Sequence, residues 1–431
     1  MVVAAHAVGI AAGKTKLNRQ QIVGFWAAWS GWMLDGMGSV IYALVLAPAL
    51  AELLPKSGMP ATPGEIGRVG SILFGVFLAG WGCSFIWGPI GDRIGRARTM
   101  AATVIVYSVF TGAAAFSQDV WQLGLFRFLS GVGIGGQWAL AGTYVAEAWP
   151  EDRRKMGAGY LQTGYYFGFF VAAALNYTIG AKYGWRAMFL CGLFPVIVGI
   201  ATLFVKEPQR WKKHELEAKR SHPLSELFSP VYLRRTLVNT AFVTVAIIGL
   251  WAAAVYEPTA IITLARKAGM DAAGAARMAS IGTGLLSIGT ILGCLALPAI
   301  AEALGRKNTL ALYFVIMAIC IPLAFGWAYY LERGLIPFLI ILFFLGFGGG
   351  NFTVFSLWLP EQYGTRVRAT AFAFITSFGR FIGAGVNFLL GAMVLRMGTL
   401  GVPIALTAIA FAIGLLIVPL GIETKNDPLP D

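Results

Sequence analysis

Long apolar runs separated by short polar segments fill almost the whole chain, and this pattern repeats twelve times. Each run approaches or exceeds the roughly 20 residues that an α-helix needs to cross the hydrocarbon core of a bilayer. The apolar positions are consecutive rather than alternating, so the pattern predicts membrane-spanning helices instead of barrel strands or a soluble bundle. The predicted spans are residues 22–50, 67–89, 99–117, 121–148, 155–179, 185–205, 236–262, 276–301, 308–330, 335–359, 368–395 and 399–421.

The longest polar stretch, residues 206–235, divides these spans into two groups of six. We interpret it as a solvated linker, which can carry an amphipathic helix on the membrane surface, rather than as a regulatory site. Residues up to Gln20 are weakly basic and lack a small-residue cleavage site, which favours a retained tail over a signal peptide. The predicted organisation is a tail (1–21), a six-helix bundle (22–205), the linker (206–235), a second six-helix bundle (236–421) and a tail (422–431).

Composition supports a membrane protein. Of the 431 residues 58% are apolar and only 12% are charged, and the mean hydropathy is +0.72. A soluble domain carries about 25% charged residues, so much of this surface must face lipid. The four cysteines lie within apolar runs and the three histidines lie in polar segments, so we expect no disulfide framework, zinc site or membrane-embedded histidine relay.

The charge distribution predicts the orientation of the chain. The net charge is +13, but the basic residues form short clusters between apolar runs, which is typical of membrane anchors and not of nucleic-acid binding. Most of the 33 Lys and Arg fall on one side if the N-terminus is inside. We therefore predict an integral protein of the plasma (inner) membrane with both termini in the cytoplasm, a small-molecule solute as its partner, and function as a monomer.

The two halves of the chain resemble each other. VAEAWPEDRRKMGAG follows the fourth span and LPEQYGTRVRATAFA follows the tenth, which aligns Glu147 with Glu361 at an offset of 214 residues. At the same offset Gly135 and Gly136 align with Gly349 and Gly350. GPIGDRIGRAR after the second span has a weaker counterpart, PAIAEALGRKN, after the eighth. A duplicated six-span unit predicts two packed half-bundles with a solute site between them near the membrane midplane.

These motifs resemble those of the major facilitator superfamily. GPIGDRIGRAR (88–98) is similar to its signature loop after the second span, and RFLSGVGIGG (127–136) is similar to its fourth-span motif. LDGM in the first span and EAWPEDRR after the fourth most resemble the sialate, monocarboxylate and aromatic-acid proton symporters, although Gln137 stands where that pattern often has an acidic residue. The resemblance implies an all-α membrane protein with twelve transmembrane helices in two pseudo-symmetric six-helix bundles.

Three ionisable residues lie deep within predicted spans, namely Asp35, Arg127 and Arg380. Such residues are costly in a membrane and indicate function by default. We assign Asp35 to proton coupling, with a static partnership to Arg127 or Arg380 as the alternative. Arginine stays charged when buried and binds a carboxylate with two hydrogen bonds, so Arg380 is our preferred anion anchor and Arg127 the second candidate, which can instead hold helices together.

Uncharged polar residues complete the predicted solute pocket. Each alone can be satisfied by a neighbouring helix, but together they form a plausible binding set. Aromatic residues such as Trp138 and Tyr165 can form its walls, or can simply pack. The predicted polar set is Gln137, Gln162, Tyr166, Asn351, Asn387 and Tyr42, the last of which shares a helical face with Asp35 and Ser39.

Charged residues in the loops predict a cytoplasmic gate. Asp92 can accept hydrogen bonds from a helix N-terminus or an arginine, while Arg93 and Arg96 can pair with acids such as Glu147. Glu361 and Arg368 are the matching candidates in the second half. The second half has Glu302 but Ala303 where the matching arginine would stand, so we expect a weaker latch there and an asymmetric gate. Glu257, which precedes Pro258 in the outer part of the seventh span, is expected to be a solvated rim residue rather than an outer gate.

The sequence favours one function class. Gly131, Gly133 and Gly136 match a dinucleotide fingerprint only formally, because they lie inside an apolar helix. No Walker loop or catalytic cluster supports ATP-driven transport or an enzyme. We predict proton-coupled symport of a small organic anion by alternating access, with the proton as coupling ion and no cofactor. A sugar or polyol facilitator or proton symporter is the alternative, and a non-transporting membrane sensor is more remote because both tails are short.

Overall fold

The computed structural model describes residues 15–213 and 223–431. Residues 1–14 of the predicted tail and residues 214–222 of the predicted linker, with His6, His214 and His222, lie outside the described part. Long helices follow all twelve predicted spans. They are α1 (Arg19–Lys56), α2 (Pro63–Cys83, extended by Ser84–Ile86 and Trp87–Ile94), α3 (Arg96–Ala113), α4 (Val120–Ala148), α5 (Glu151–Leu175), α6 (Ala181–Cys191 and Pro195–Thr202), α7 (Leu233–Lys267), α8 (272–304), α9 (306–321), α10 (Leu335–Gly349 and Phe352–Trp358), α11 (Arg368–Met397) and α12 (Gly401–Ala405 and Ala408–Ile417).

Not every helix is apolar enough to be recognised as a span by length and composition alone. Seven described helices pass that test, and eight do if the two arms of α1 count as one span. One of the seven, Arg277–Tyr330, covers most of α8 and the whole of α9. The helices that fail it are α4, α5 and α7, which carry polar side chains such as Arg127, Gln162 and Glu257. Inner helices tolerate these groups because protein rather than lipid surrounds them.

Side-chain caps start several of the helices. Asn18 and Gln21 form a reciprocal capping box at α1, with bonds of 2.9 and 2.8 Å. Asp119 accepts a bond from the Gln122 amide at the start of α4, and Asp271 does the same for Gly274 in α8. These caps satisfy amides that have no partner inside the helix. At Pro48 the helix α1 bends by 65°, because proline cannot donate to the preceding turn.

Glycines allow pairs of helices to touch along their backbones. A Cβ at Gly80 of α2 would collide with the carbonyl oxygen of Phe128 in α4, and one at Gly289 of α8 would collide with that of Phe343 in α10. The pairs α2–α4 and α8–α10 occupy matching positions in the two halves. Close approach of small residues compensates for the weak hydrophobic drive between helices in lipid.

The helices form two sets of six, α1–α6 and α7–α12, which meet mainly where α2 packs on α11 and α5 packs on α8. Gly88 faces the backbone of Thr370 across the first contact, and Gly159 faces that of Cys294 across the second. The Ser84 and Ser377 hydroxyls bond at 2.9 Å between the sets. One end of the molecule, called here the interlocked end, carries the α2–α3, α4–α5, α8–α9 and α10–α11 turns together with the described parts of the tails and linker.

Two matching turns at the interlocked end need glycine. Gly95 between α2 and α3 has φ 120°, and Gly305 between α8 and α9 has φ 82°. At the first turn the Glu207 carboxylate accepts from the amides of Arg96, Ala97 and Arg98 at 2.7, 3.1 and 3.1 Å. Burial raises the pKa of Glu207, and the hydrogen bonds from these three amides offset part of that rise. At the second turn Glu423 accepts from the amides of Arg306 and Lys307 at 2.9 and 3.1 Å.

The first prediction concerns the glycine turns. A Cβ at Gly305 would lie 2.6 Å from Glu423 Oε2, whereas Gly184, with φ 79°, has nothing within 4 Å of that position. Both Gly→Ala variants incur about 1–3 kcal/mol of backbone strain. Only Gly305→Ala also displaces a helix cap, for about 1–3 kcal/mol more. We expect a lower apparent melting temperature in detergent for Gly305→Ala than for Gly184→Ala. Equal losses would mean that Glu423 contributes nothing to the turn.

Candidate functional site

An aromatic cluster occupies the middle of the contact between the halves. The Trp32 ring of α1 lies between Trp138 of α4, at 5.9 Å and nearly parallel, and Tyr165 of α5, at 4.6 Å. The Trp138 indole N–H donates to Ser356 Oγ of α10 at 2.9 Å, and Ser356 bonds Gln162 at 3.4 Å. The cluster therefore joins helices of both halves through apolar walls and a short chain of polar groups.

Asp35 is buried one turn of α1 beyond Trp32. Among the described residues neither of its carboxyl oxygens has a hydrogen-bond partner, and neither forms a salt bridge. Ser39 donates to the backbone carbonyl of Asp35 and not to its carboxylate. The carboxylate and the Arg380 guanidinium do interact electrostatically over a longer distance. The alternative of a static ion pair with Arg127 or Arg380 is thus not realised in this conformation.

Arg380 of α11 reaches the same cluster from the second half. Its side chain is 2% exposed, and its guanidinium lies 4.1 Å from the Trp81 ring centroid and 5.7 Å from that of Trp138. Nη1 donates to the Thr376 carbonyl of its own helix, and Nε has no partner among the described residues. A buried cation held by ring faces keeps donors free for an anion.

Arg127 lies in a separate place inside the first half. Its guanidinium is sandwiched between the rings of Tyr42 and Phe77, at 4.2 and 4.1 Å, and none of its nitrogens has a hydrogen-bond partner in the described chain. Tyr42 also donates weakly to the Gly70 carbonyl at 3.4 Å. The structure therefore groups Tyr42 with Arg127 among α1, α2 and α4, and not with the aromatic cluster.

The other predicted pocket residues divide between the two regions. Gln137 accepts from Thr103 at 3.0 Å and packs on Gly31, which places it inside the first half. Gln162 reaches Ser356 of the second half. Tyr166 is buried beside Tyr165 at 5.7 Å. Asn351, at the break of α10, is buried, and its side-chain amide has no partner among the described residues. Asn387 belongs to α11, but its side chain lies outside the described part.

Charged side chains lock the interlocked end on the first half. Arg96 makes two bonds to Glu147, at 3.0 and 2.9 Å, and lies 3.0 Å from Asp92. Glu147 also pairs with Arg368 of the second half at 2.7 Å. All four side chains are fully or almost fully buried. Arg93, by contrast, is exposed, and the bonds to Glu147 described above come from Arg96.

Asp92 adds a second type of contact across the halves. Its carboxylate accepts from the amides of Ala369 and Thr370 at 3.2 and 2.8 Å and from the Thr370 hydroxyl at 2.5 Å. These groups form the first turn of α11, where the helix dipole also favours a negative charge. Asp92 thus ties the end of α2 to the start of α11.

The second half carries a comparable charge pair that the sequence reading missed. Arg306 makes two bonds to Glu361, at 2.8 and 2.7 Å, as Arg96 does to Glu147. Arg154 of the first half adds a bond to Glu361 at 3.0 Å. The expectation of a weaker latch counted only Ala303, whereas Arg306 supplies a cation to Glu361; the relative strength of the two latches stays a prediction. The two halves differ at Glu302, the counterpart of Asp92. Glu302 is largely exposed and pairs with Lys155, whereas Asp92 caps the start of α11.

Glu257 departs from the expected solvated rim. Its side chain is 1% exposed, and its carboxylate accepts from Thr283 Oγ1 of α8 at 2.9 Å. The residue is therefore enclosed between α7 and α8. The sequence signal for this was present, since an acidic residue inside a span is more often buried in protein than exposed to lipid.

Comparisons with known proteins agree with this architecture. The Major Facilitator Superfamily profile matches residues 27–386. The chain is 27% identical to a "Probable 4-methylmuconolactone transporter" of Cupriavidus pinatubonensis, covering 94% of this chain and 92% of the relative. It is 26% identical to the "Niacin transporter NiaP" of Acinetobacter baylyi, covering 94% of each. The proton:xylose symporter XylE superposes with a TM-score of 0.79 at 16% identity over 95% of this chain and 98% of XylE, which supports the fold alone.

The second prediction tests the asymmetry of the interlocked end. Asp92→Asn removes a buried charge that faces both Arg96 and the start of α11, and we expect it to destabilise the protein by about 1–3 kcal/mol. Glu302→Gln, a matched change at an exposed pair, should cost at most about 1 kcal/mol. Thermal unfolding of the two purified variants in detergent measures the difference. Similar melting temperatures would show that the two acidic residues play equivalent parts.

Proposed function

The chain belongs to the major facilitator superfamily, and we propose that this integral membrane transporter moves a small organic anion together with protons by alternating access. It is a transporter and not an enzyme. The observation that carries the proposal is the pair Asp35 and Arg380, two buried, opposite charges at one aromatic cluster that do not form an ion pair. Each is available to a transported species, the carboxylate to a proton and the guanidinium to an anion.

The two groups can couple the proton to the anion. An ionised Asp35 attracts Arg380 and so reduces the positive potential that a solute carboxylate would meet. A proton on Asp35 removes that attraction, and Arg380 can then bind a carboxylate with its free donors. The occupied site is nearly neutral, which lowers the cost of enclosing it between the halves. Protonation and solute binding then favour the same conformational change.

The surroundings of Arg380 favour an acid with an apolar or aromatic body. Trp81, Trp138 and Trp32 provide flat apolar faces, while Gln162 and Asn351 provide amides near the contact between the halves. Relatives named for niacin and 4-methylmuconolactone support this choice over a sugar. We place Arg127 in a supporting position, since the Tyr42 and Phe77 rings already cover it.

The charges at the interlocked end act as the gate in this scheme. With the N-terminus in the cytoplasm and the protein in the plasma (inner) membrane, the end closed by Glu147, Arg368 and Asp92 is the cytoplasmic one. Transport requires that these bonds break and re-form as the halves rock. Glu361 and Arg306 lie within the second half and would move with it as one body, while the bond from Arg154 to Glu361 crosses the halves and must also break.

The third prediction tests proton coupling. In proteoliposomes we expect an inward proton gradient to stimulate uptake of one acid from a panel of radiolabelled aromatic acids, other monocarboxylates, sialate and a hexose. Asp35→Asn should abolish this stimulation while gradient-free exchange of the same acid survives. Ser39→Ala, one turn away, removes the bond to the Asp35 backbone carbonyl and leaves the Asp35 carboxyl in place, so it serves as the control. Hexose uptake that ignores the gradient would replace the symporter by a facilitator.

The fourth prediction tests the anion site. Arg380→Gln removes the buried cation, so we expect KM for the transported acid to rise at least about tenfold, equivalent to about 1.4 kcal/mol. Arg380→Lys keeps the charge without the planar donors and should give an intermediate value. Arg127→Lys keeps the charge at the other arginine and should change KM much less. A larger effect at Arg127 than at Arg380 would reverse our assignment of the anchor.

A further inference from the structure

The chain's last described segment crosses between the two halves at the interlocked end. We call residues 427–431 the strap. It follows Glu423 and Thr424, which belong to the second half, because Glu423 caps α9 and Thr424 Oγ1 donates to Glu361 at 2.6 Å. A turn in which the Asp427 amide donates to the Thr424 carbonyl then directs the chain toward the first half.

The strap reaches the first half through its backbone. The amide of Leu429 donates to Glu151 Oε1, at the start of α5, at 3.1 Å. Arg210 donates to the Leu429 carbonyl and lies 2.9 Å from the Asp431 carboxylate. Arg210 belongs to the short helix Gln209–Lys213, which is fixed to the first half because Trp211 donates to the Asp92 carbonyl at 2.8 Å.

The same strap contacts the central charge pair of the gate. Arg368, which pairs with Glu147 across the halves, also donates to the Pro430 carbonyl. Leu429 is 2% exposed, although the two residues before it, Asp427 and Pro428, are exposed. The strap thus satisfies donors from α11 and from the linker helix while it buries an apolar side chain, and these partners come from both halves.

We propose that the strap is a conformational brake that holds the interlocked end closed. Its bonds to Glu151 and Arg210 on one side and to Arg368 on the other can coexist only while the halves are together at this end. Opening must break one set, so the strap lowers the population of the state open at the interlocked end. This inference goes beyond the proposed solute and coupling ion and does not depend on either.

Cys294 provides a reporter for the test. It is fully buried in α8 at the contact with α5, where Thr353 donates to its sulfur at 3.1 Å. A water-soluble maleimide reaches it only when the halves separate. The experiment uses the full chain in detergent with Cys83, Cys191 and Cys320 replaced by serine, and it measures the labelling rate of Cys294.

Three variants weaken the strap in different ways. Termination after Asp427 removes residues 428–431, Leu429→Asp places a charge in its buried site, and Arg210→Gln removes its linker contacts while leaving the strap intact. We expect labelling several-fold faster than in the parent for each. Asp427→Asn, at an exposed position of the same segment, is the matched control and should label at the parent rate.

Glu147→Gln establishes that the reporter responds to opening, since it weakens the central pair directly. Size-exclusion profiles and melting curves identify any variant that fails to fold, and the remaining variants then decide. Parent-like labelling in the truncated chain and in Arg210→Gln, beside faster labelling in Glu147→Gln, would overturn the proposal. Faster labelling in these variants with unchanged Asp427→Asn would support it, whatever the transport assays show.

Discussion

The free-energy cost of burying an unpaired charge explains how the charged side chains of this protein are arranged. At the interlocked end nearly every buried charge has a partner, as Arg96, Glu147 and Arg368 illustrate. At the aromatic cluster the opposite holds, since Asp35 and Arg380 are equally buried and remain without ion-pair partners among the described residues. Burying such a group without a partner is costly, and this cost is why we assign a transported species to each of them. The paired charges at the interlocked end form the proposed gate, and the unpaired Asp35 and Arg380 form the proposed site.

Aromatic rings make the unpaired arginines tolerable. Arg127 lies between Tyr42 and Phe77, and Arg380 lies over Trp81, each at about 4 Å from a ring centroid. A ring face stabilises a cation without occupying its N–H donors. In Arg380 this leaves hydrogen-bonding capacity for a solute, whereas in Arg127 rings on both sides leave little room. The number of rings around each guanidinium is therefore our reason for proposing Arg380, and not Arg127, as the anion anchor.

The sequence was sufficient for the fold and for the burial of Asp35, Arg127 and Arg380, because both depend on the position of the apolar runs. Continuous apolar runs and the repeated loop motifs predicted twelve helices, and the depth of Asp35 and Arg380 followed from those runs. Which charges meet was harder to predict, because contacts such as Arg306 with Glu361 depend on the rotation of each helix. The repeat could have found that pair, since Arg306 follows Gly305 as Arg96 follows Gly95. The burial of Glu257 could have been predicted from its position inside a span, but its partner Thr283 could not, because that contact depends on how α7 and α8 pack.

The capping of the two glycine turns has a consequence for how the chain is made. Glu207 follows the sixth helix and closes the turn at Gly95, and Glu423 follows the twelfth and closes the turn at Gly305. Each six-helix half therefore ends with the residue that completes its own interior turn. The residues that close the first half's turn are therefore all synthesised before α7 begins at Leu233, so this turn does not depend on the second half.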